Sequence, residues 1–519
     1  MKNIVENAIV SAEQMQQIES QVFAAGMPVA ALMEKAARLC FERIKSLYPL
    51  SNYPLVGILV GPGHNGGDAL VIARELYIAG YRIKVFRPFF KLKQLTAQHA
   101  NYAASLGITF NEEIQSLAEC QLIVDGLFGF GLTRDLPENI IQAVDLLNSW
   151  SQPVVSIDLP SGIHTDTGQV MGRAVKATHT LCLGLWKRAF FQDRALAYFG
   201  NSERIDFGLL RHHIWSVLPQ PVPIRQMTTK IALSLLPLPR PAITYKYRQG
   251  NLLLICGSRT YAGAAILSAL GARASGVGML SIAIPESLKT LISSHLPEAL
   301  IVDCPENKEG AIASLPLGAN ELKQFDVVAC GPGLTTDAQS VVNKVLQFSC
   351  PLLLDADGLN ILSQQDVTEI LNQREAPTIL TPHQGEFKRL FPDITDVDNR
   401  LDAVVAAAVQ SKAIVLFKGA KTAIANAQGL TWIVPHSTPA LARGGSGDVL
   451  TGLTAGLTAQ SNLDETNSLF NIVAVSAWWH AQAAIIAAGK RTELGVDALT
   501  LTQYLTPAIS QLWQSKTET

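Results

Sequence analysis

The stretch LVGILVGPGHNGGDALV, residues 55–71, combines a strand, a glycine-rich turn and the start of a helix. Leu55–Val60 is a short apolar run that ends at a glycine, which predicts a buried parallel strand. Four glycines lie between Gly61 and Gly67, so the backbone can turn sharply and bring its amides close to a ligand. We expect a helix over Ala69–Ala79 whose first amides face an anion. A tight turn without a ligand is the alternative, because a glycine-rich turn alone is a weak motif.

The same alternation of short apolar runs and helical stretches continues along the chain and predicts an α/β fold with parallel sheets covered on both faces. A proline-rich stretch, residues 219–241, separates two such halves. We therefore expect two domains, residues 1–222 and 223–519. The other predicted strands are Ile83–Phe86, Leu122–Asp125, Val154–Asp158, Leu252–Cys256, Met279–Ile284, Val327–Cys330, Leu352–Asp355, Thr378–Leu380 and Ala413–Phe417.

Composition argues against several classes of protein. The 519 residues carry 41 basic and 43 acidic side chains, so we expect neither a nucleic-acid partner nor a membrane surface. The first residues lack the apolar core of a secretory signal. The apolar stretch Ile472–Gly489 contains polar side chains that favour a buried helix over a membrane span. Seven scattered cysteines indicate neither a zinc site nor a disulfide framework, and they fit a reducing cytoplasm.

Oxygen-bearing side chains follow the predicted strands of the first half. Asp125 ends the run LIVD, Asp158 ends VVSID, and Ser161 follows closely. Ligands of parallel sheets bind beyond the carboxyl ends of the strands. With Asn65, these oxygens suit a hard cation better than zinc. The alternative is that each aspartate only caps the next helix.

The stretch ARGGSGDVLTGLTAGLTA, residues 442–459, is the most specific motif of the second half. Its glycines precede Asp448, and Val449–Thr458 is predicted to be helical. Amides at that helix start form an anion hole for a phosphoryl group, beside which Asp448 could take a proton from a substrate hydroxyl. Small-molecule kinases of the ribokinase superfamily use the same logic. A flexible helix cap is the alternative.

Three further motifs complete the second half-site. LFKGAKTAI, Leu416–Ile424, places a lysine-glycine turn after a strand, which suits a nucleotide phosphate. ACGPGLTTD, Ala329–Asp337, places another glycine turn after a strand. ILTPHQGEFKRL, Ile379–Leu390, puts His383 and Glu386 just past a strand end, where we favour contact of the histidine with substrate over a structural role.

These motifs resemble one family. The first half, with the helix segment Leu32–Ala36 and the run VDGLFGFGL, resembles the epimerase domain of the bifunctional NAD(P)H-hydrate repair enzymes. The second half, with Gly257–Ala272, resembles the dehydratase domain of the same family. The resemblance implies an N-terminal Rossmann-like three-layer domain and a C-terminal ribokinase-like domain. It also implies epimerisation of the R and S hydrates of NADH and NADPH, and dehydration of the S form with ADP, which releases AMP and phosphate.

The resemblance assigns ligands to the first half. It implies that Asn65, Asp125 and Ser161 bind potassium and that Asp158 contacts the damaged nicotinamide ring, where a carboxylate could act as base and acid in turn. His64 stands where the family usually has asparagine, and imidazole cannot offer an amide's donor and acceptor together at one end. The residues implied to hold the hydrated dinucleotide are His64, Asn65, Gly66, Gly67, Asp68, Gly129, Phe130, Gly131, Leu132, Thr133, Arg134, Asp135 and Asp158.

The resemblance also assigns the second half. Asp448 would deprotonate the hydroxyl at ring carbon 6, so that phosphorylation makes it a better leaving group. ADP is expected over ATP, magnesium is expected with phosphoryl transfer, and a homo-oligomer is expected from the family. The residues implied to contact the hydrated dinucleotide are Ala264, Gly333, His383 and Asp448. Those implied to hold the nucleotide are Lys418, Gly419, Ala420, Lys421, Thr422 and Gly447.

Three other functions remain open from the residues. A small-molecule kinase fused to a Rossmann-like binding module would also carry the GGSGD loop. A non-catalytic ligand sensor is a second possibility, although both halves keep an acidic residue at the expected reactive position. A conventional dehydrogenase is a third possibility.

Overall fold

A computed structural model describes residues 7–461 and 468–517. The chain divides into two compact units whose boundary falls between Val222 and Pro223, inside the proline-rich stretch. The strands of the first unit are β1 (Ile9–Val10), β2 (Leu55–Val60), β3 (Arg82–Phe86), β4 (Thr109–Asn111), β5 (Leu122–Gly126), β6 (Val154–Ile157), β7 (His179–Leu183), β8 (Trp186–Lys187) and β9 (Asn201–Ile205). Its helices are α1 (Ala12–Ala24), α2 (Val29–Leu47), α3 (His64–Ile78), α4 (Gln94–Ser105), α5 (Glu138–Ser149), α6 (Leu196–Phe199) and α7 (Arg211–Trp215).

The first unit contains a seven-stranded sheet in the order β4-β3-β2-β5-β6-β7-β9. Every neighbouring pair in it is parallel. Alternate residues of β5 face opposite layers: Leu122 and Val124 pack with residues of α2 and α3, whereas Ile123 packs with residues of α5. The sheet is therefore covered on both faces, and its strand ends point to one edge.

The second unit contains a ten-stranded sheet in the order β10-β19-β18-β17-β16-β15-β14-β11-β12-β13. Only the pairs that involve β18 are antiparallel among the described strands. The strands are β10 (Ile224–Gln226), β11 (Asn251–Ile255), β12 (Met279–Pro285), β13 (Leu300–Cys304), β14 (Val327–Cys330), β15 (Leu352–Leu354), β16 (Thr378–Leu380), β17 (Ile414–Phe417), β18 (Ala423–Ala425) and β19 (Thr431–Ile433). The helices are α8 (Thr229–Leu235), α9 (Ala262–Ser275), α10 (Lys289–His295), α11 (Ala319–Leu322), α12 (Gln339–Leu346), α13 (Asp357–Leu362), α14 (Val367–Asn372), α15 (Gln384–Leu390), α16 (Arg400–Ser411), α17 (Ser446–Thr458), α18 (Ser468–Arg491) and α19 (Ala498–Thr517).

The predicted start of α3 at Ala69 is wrong, because the helix begins at His64 and includes the paired glycines. A Cβ atom at Gly66 would lie 2.0 Å from the carbonyl oxygen of Gly61, and one at Gly67 would lie 2.7 Å from the sulfur of Met33. Close packing therefore requires glycine in the first turn, although glycine is a poor helix former. Helix α17 also begins earlier than predicted, at Ser446.

The apolar stretch of the second unit lies in α18, as predicted for a buried helix. Among the described residues, Ser468–Arg491 is the one helix long and apolar enough to cross a membrane, and 72% of its most apolar window is buried within the protein. Trp478 of this helix is 1% exposed and belongs to the largest apolar cluster of the second unit. All seven cysteines are buried and unpaired.

Candidate active sites

The first site lies at the carboxyl ends of β2, β5 and β6. Its glycine turn packs closely, because a Cβ atom at Gly61 would lie 1.6 Å from the carbonyl oxygen of Leu127. A Cβ atom at Gly129 would lie 3.1 Å from Asn65 Oδ1 and 3.2 Å from Asp158 Oδ2. The turn after β5 therefore joins the start of α3 to the end of β6, as the strand-end rule predicts.

Asp125 and Ser161 form a buried cluster in this site. Ser161 donates from its hydroxyl to Asp125 Oδ1 at 2.6 Å and from its backbone amide to Oδ2 at 2.9 Å. The hydroxyl of Ser156 and the amide of Leu127 also donate to this carboxylate. Burial raises the pKa of Asp125, and these hydrogen bonds oppose that rise. All four donors are neutral, so these contacts do not balance the charge of the ionised carboxylate.

Asp158 is held in an unusual backbone conformation, with φ of 66°, directly after β6. Its Oδ2 accepts from the amide of Phe130 at 3.1 Å. Its Oδ1 accepts from Lys187 Nζ at 2.5 Å, and both side chains are almost fully buried. The same ammonium donates to the carbonyl of Leu183. Burial alone would lower the pKa of Lys187, but the charge of Asp158 raises it, so the lysine is a cation fixed against the carboxylate.

Two more carboxyl groups act electrostatically on this pair. Burial raises the pKa of Glu19 to about 7, while Lys187 lowers it and Asp158 raises it. Burial, Asp158 and Glu19 raise the pKa of Asp68 well above its usual range. The first site thus holds several acids around one ammonium group, and its total charge depends on pH near neutrality.

The remaining predicted residues of the first site are less closely held. His64 begins α3, and burial lowers the pKa of its imidazole. The amide of Gly131 donates to Thr165 Oγ1 at 3.2 Å. The next residues form an exposed rim with partial burial at Leu132 alone, and the structure records no contact from them to Asp158; they are Leu132, Thr133, Arg134 and Asp135.

The second site lies at the start of α17, where β15, β16 and β17 end. Asp448 occupies the first turn of that helix. Burial raises the pKa of Asp448 to about 7, with a further rise from Asp355 that Lys418 opposes. A carboxyl group that titrates near pH 7 is suited to accept a proton at neutral pH.

Lys418 and Asp355 form a second ion pair, in which Asp355 is buried and Lys418 is half-buried. Lys418 Nζ lies 2.8 Å from Asp355 Oδ1 and 3.9 Å from Glu386 Oε2. Thr451, on α17, donates to Asp355 Oδ2 at 2.6 Å. A Cβ atom at Gly447 would lie 3.5 Å from the Lys418 ammonium, so that cation lies beside the predicted anion hole. Burial raises the pKa of Glu386 to about 7.

His383 has a structural role in this conformation. Its Nδ1 accepts from the amides of Gly385 and Glu386, and Glu386 Oε2 accepts from the amide of His383 at 2.8 Å, which makes a capping box at the start of α15. Burial and the charge of Lys418 lower the pKa of the imidazole. The side chain is 56% exposed, so it also borders the site opening.

Ala264 and Gly333 lie together, as the motifs imply. A Cβ atom at Gly333, whose φ is 65°, would lie 2.8 Å from Ala264 Cβ. A Cβ atom at Gly445 would lie 2.5 Å from Cδ1 of Leu267, which is one turn after Ala264 on α9. The glycine turn after β14 and the start of α17 therefore both pack against α9.

A cavity of about 730 Å³ opens beside the second site. Lys421 donates to the carbonyl of Pro435 in its wall, and the hydroxyl of Thr438 donates to Glu493 at 3.1 Å. His480 of α18 contacts the carbonyl of Ser446 at 2.9 Å, which connects α18 to the glycine loop. The cavity lining includes Met227, Pro435, His436, Thr438, Gln482, Ile485 and Glu493.

Sequence reasoning missed three residues of these sites. Asp355 ends its strand as Asp125 and Asp158 end theirs, so the same rule could have found it. Lys187 stands beside Arg188 in the otherwise apolar run LGLWKRAFF, so the sequence does not single it out as a buried cation. Glu19 gives no signal either, because it lies on a helix with mixed polarity.

The fold and its strand-end sites define the class: a two-unit α/β enzyme with a separate carboxylate-bearing ligand site in each unit. The model of the YjeF-related protein N-terminus matches residues 29–189, and the model of NAD(P)H-hydrate dehydratase matches residues 252–507. The bifunctional NAD(P)H-hydrate repair enzyme of Synechocystis sp. is 55% identical over 97% of this chain and 95% of its own length. The enzyme of that description from Gloeobacter violaceus is 46% identical over 98% and 99%.

The chain belongs to the family of bifunctional NAD(P)H-hydrate repair enzymes. A solved structure of the ADP/ATP-dependent NAD(P)H-hydrate dehydratase from Bacillus subtilis, co-crystallised with ATP and Mg²⁺, is 30% identical. It covers 57% of this chain and 100% of its own, with a TM-score of 0.48. The predicted α/β class, the family and the combination of epimerase with dehydratase are confirmed.

Proposed function

We propose that Asp158 is the proton-transfer group of the epimerase and that the hydrated nicotinamide ring of NADH or NADPH lies against its Oδ2. The observation that supports this role is the Lys187 ion pair, which occupies Oδ1 and leaves Oδ2 with a backbone donor at the glycine turn. The carbon that bears the hydroxyl also bonds the ring nitrogen. Removal of the hydroxyl proton opens that carbon–nitrogen bond, and closure on the other face with return of the proton inverts the centre.

Potassium fits the neighbouring oxygen cluster. Asp125 is buried and accepts hydrogen bonds from neutral donors only. Asn65 Oδ1 faces the turn at Gly129. The described residues hold no group of three or more His, Cys, Asp or Glu suited to a transition metal, whereas amide, hydroxyl and carboxylate oxygens suit a hard cation. Asn65, Asp125 and Ser161 would hold the ion, which would supply positive charge near the dinucleotide.

For the second unit, Asp448 takes the proton from the hydroxyl at ring carbon 6 of the S form. That oxygen attacks the β-phosphorus of ADP, and AMP leaves. The amides at the start of α17 and the Lys418 ammonium stabilise charge on the transferred phosphoryl group. The ring nitrogen then expels phosphate, and loss of a proton from the adjacent ring carbon restores NAD(P)H.

The nucleotide extends from the lysine-glycine turn into the cavity beside the second site. Its phosphates face Gly447 and Lys418, and its adenosine occupies the cavity lined by Thr438, Gln482 and Ile485. Magnesium would arrive on the phosphates, since no carboxylate cage for it exists among the described residues. The preference for ADP over ATP, the homo-oligomer and the cytoplasmic location remain predictions, to be tested by donor competition, mass in solution and cell fractionation.

The decisive experiment supplies mixed R and S hydrates with ADP and follows absorbance of the reduced nicotinamide. Recovery of both epimers, with AMP and free phosphate, supports both activities. Asp448→Asn should abolish recovery while the epimers still interconvert, and Asp158→Asn should leave only the S form recoverable. A stable phosphorylated hydrate would instead favour the small-molecule kinase, and interconversion by Asp158→Asn at the normal rate would refute the role of Asp158.

A further inference from the structure

Asp355 is anchored more firmly than a residue that merely ends a strand. Its carboxylate receives Lys418 Nζ at 2.8 Å on one oxygen and the Thr451 hydroxyl at 2.6 Å on the other. Its carbonyl oxygen would lie 1.8 Å from a Cβ atom at Gly331, so the neighbouring turn fits tightly against it. The next residue, Ala356, has φ of 49°, a conformation that alanine rarely adopts. The backbone is therefore held in place on both sides of this carboxylate.

The contacts of Asp355 connect three elements that meet at the glycine loop. Asp355 follows β15, Lys418 follows β17, and Thr451 lies one turn beyond Asp448 on α17. A Cβ atom at Gly447 would lie 3.5 Å from Lys418 Nζ and 3.8 Å from Asp355 Oδ2. Glycine leaves this space open, and the ammonium borders it.

We propose that Asp355 is a positioning residue of the dehydratase: through its ion pair it fixes the Lys418 ammonium beside the loop at Gly447, where the phosphoryl group is transferred. This role rests on the proposed function of the second site. Lys418 touches the phosphoryl group, and Asp355 acts through Lys418. A flexible lysine chain without that partner would sample many positions, and misplacement by about 1 Å can reduce a rate about a hundredfold.

The pair also sets the electrostatic surroundings of the reacting group, because a full negative and a full positive charge lie next to Asp448. Asp355 raises and Lys418 lowers the pKa of Asp448, after the larger effect of burial. Removal of Asp355 should therefore lower the pKa of Asp448, and removal of Lys418 should raise it. The other charged or titratable groups around the pair and Asp448 are Asp357, Glu386, His383, Cys256 and His480.

The experiment measures the pH dependence of S-hydrate recovery by the full chain with saturating ADP. Asp355→Asn keeps the shape of the side chain but removes its charge, so kcat should fall about tenfold to a hundredfold with a smaller change in KM for ADP. The acid limb of its profile should move down by about one pH unit. Lys418→Met should also lower kcat, but its acid limb should move up by about one unit. The double variant should return the limb towards the wild-type position.

The matched control is Asp303→Asn, which removes the same charge from an exposed pair with Lys289 in the same unit. This variant should change neither kcat nor the acid limb of the pH profile. Two results would show that Asp355 is only structural and would overturn the proposal. In the first, Asp355→Asn and Lys418→Met lose activity but keep the acid limb of the wild-type pH profile. In the second, the acid limbs of the two variants move in the same direction. If the wild-type chain itself fails to recover the S hydrate with ADP, the proposed function is what fails.

Discussion

Asp448→Asn should remove dehydratase activity and at the same time stabilise the second unit at alkaline pH. Burial raises the pKa of this carboxyl group from 3.8 to about 7. Between pH 4 and pH 7 this carboxyl group is mostly protonated in the folded protein and mostly ionised in the unfolded chain. The folded state therefore binds more protons, and the wild-type protein loses stability as pH rises from 4 to 7. The asparagine variant has no such proton to lose, and its advantage is absent below pH 4 and complete above pH 7.

The size of the effect follows from the shift. Three pKa units at about 1.4 kcal/mol each give an upper limit of about 4 kcal/mol. Asp448 is partly exposed and the anion interacts favourably with the start of α17, so we expect about 2 kcal/mol at pH 8. At pH 5 part of this gain is already present, and the gain should grow by about 1 kcal/mol between pH 5 and pH 8.

The assay is urea unfolding of the full chain at both pH values, followed by hydrogen exchange of peptides from α17 and α18. These peptides report the second unit separately from the first. Asp303→Asn is again the control, since its carboxyl group lies on the surface. A gain for Asp448→Asn that is equal at pH 5 and pH 8, or a loss at pH 8, would falsify the reasoning that burial holds this acid near neutrality.

Four other predictions follow from the sites. Gly447→Ala should keep or raise stability by up to about 1 kcal/mol, because a Cβ atom makes only ordinary contacts there, but should cost dehydratase activity by covering the lysine ammonium; unchanged ADP kinetics would contradict this. Lys187→Met should destabilise the first unit by about 3 kcal/mol and abolish epimerisation, whereas Lys187→Met with Asp158→Asn should recover most of the stability in thermal unfolding. Ile485→Trp should raise KM for ADP without changing epimerisation, and an unchanged KM would remove adenosine from the cavity. Replacing potassium by tetramethylammonium should slow epimerisation about tenfold and leave recovery of pure S hydrate unchanged, as checked in parallel assays.

The sequence alone predicts the strand-end geometry well. Asp125 and Ser161 meet, and the turn at Gly129 brings Asn65 near Asp158, because parallel strands carry their carboxyl ends to one edge. The start of α3 was not predictable from propensity, since tertiary packing of its glycines overrides their low helix preference.

Lys187 was hidden for a different reason. It belongs to the two-residue strand β8, which pairs with β1 at the other end of the first unit's sequence. No local sequence pattern predicts this pairing, so the ion pair with Asp158 is found only in the three-dimensional structure. His383 has a role that its motif did not reveal, since its imidazole caps a helix through Nδ1. Its contact with substrate stays a prediction.

Because every thiol is buried, the number of cysteines that a reagent labels reports which of the two units has unfolded. Cys40, Cys120 and Cys182 belong to the first unit, and the other four cysteines belong to the second. Burial raises the pKa of each thiol, so an alkylating reagent meets almost no thiolate in the closed protein. A molecule that gains three labels has opened its epimerase unit, and one that gains four has opened its dehydratase unit. Intact mass alone can therefore distinguish which half of the chain yields first.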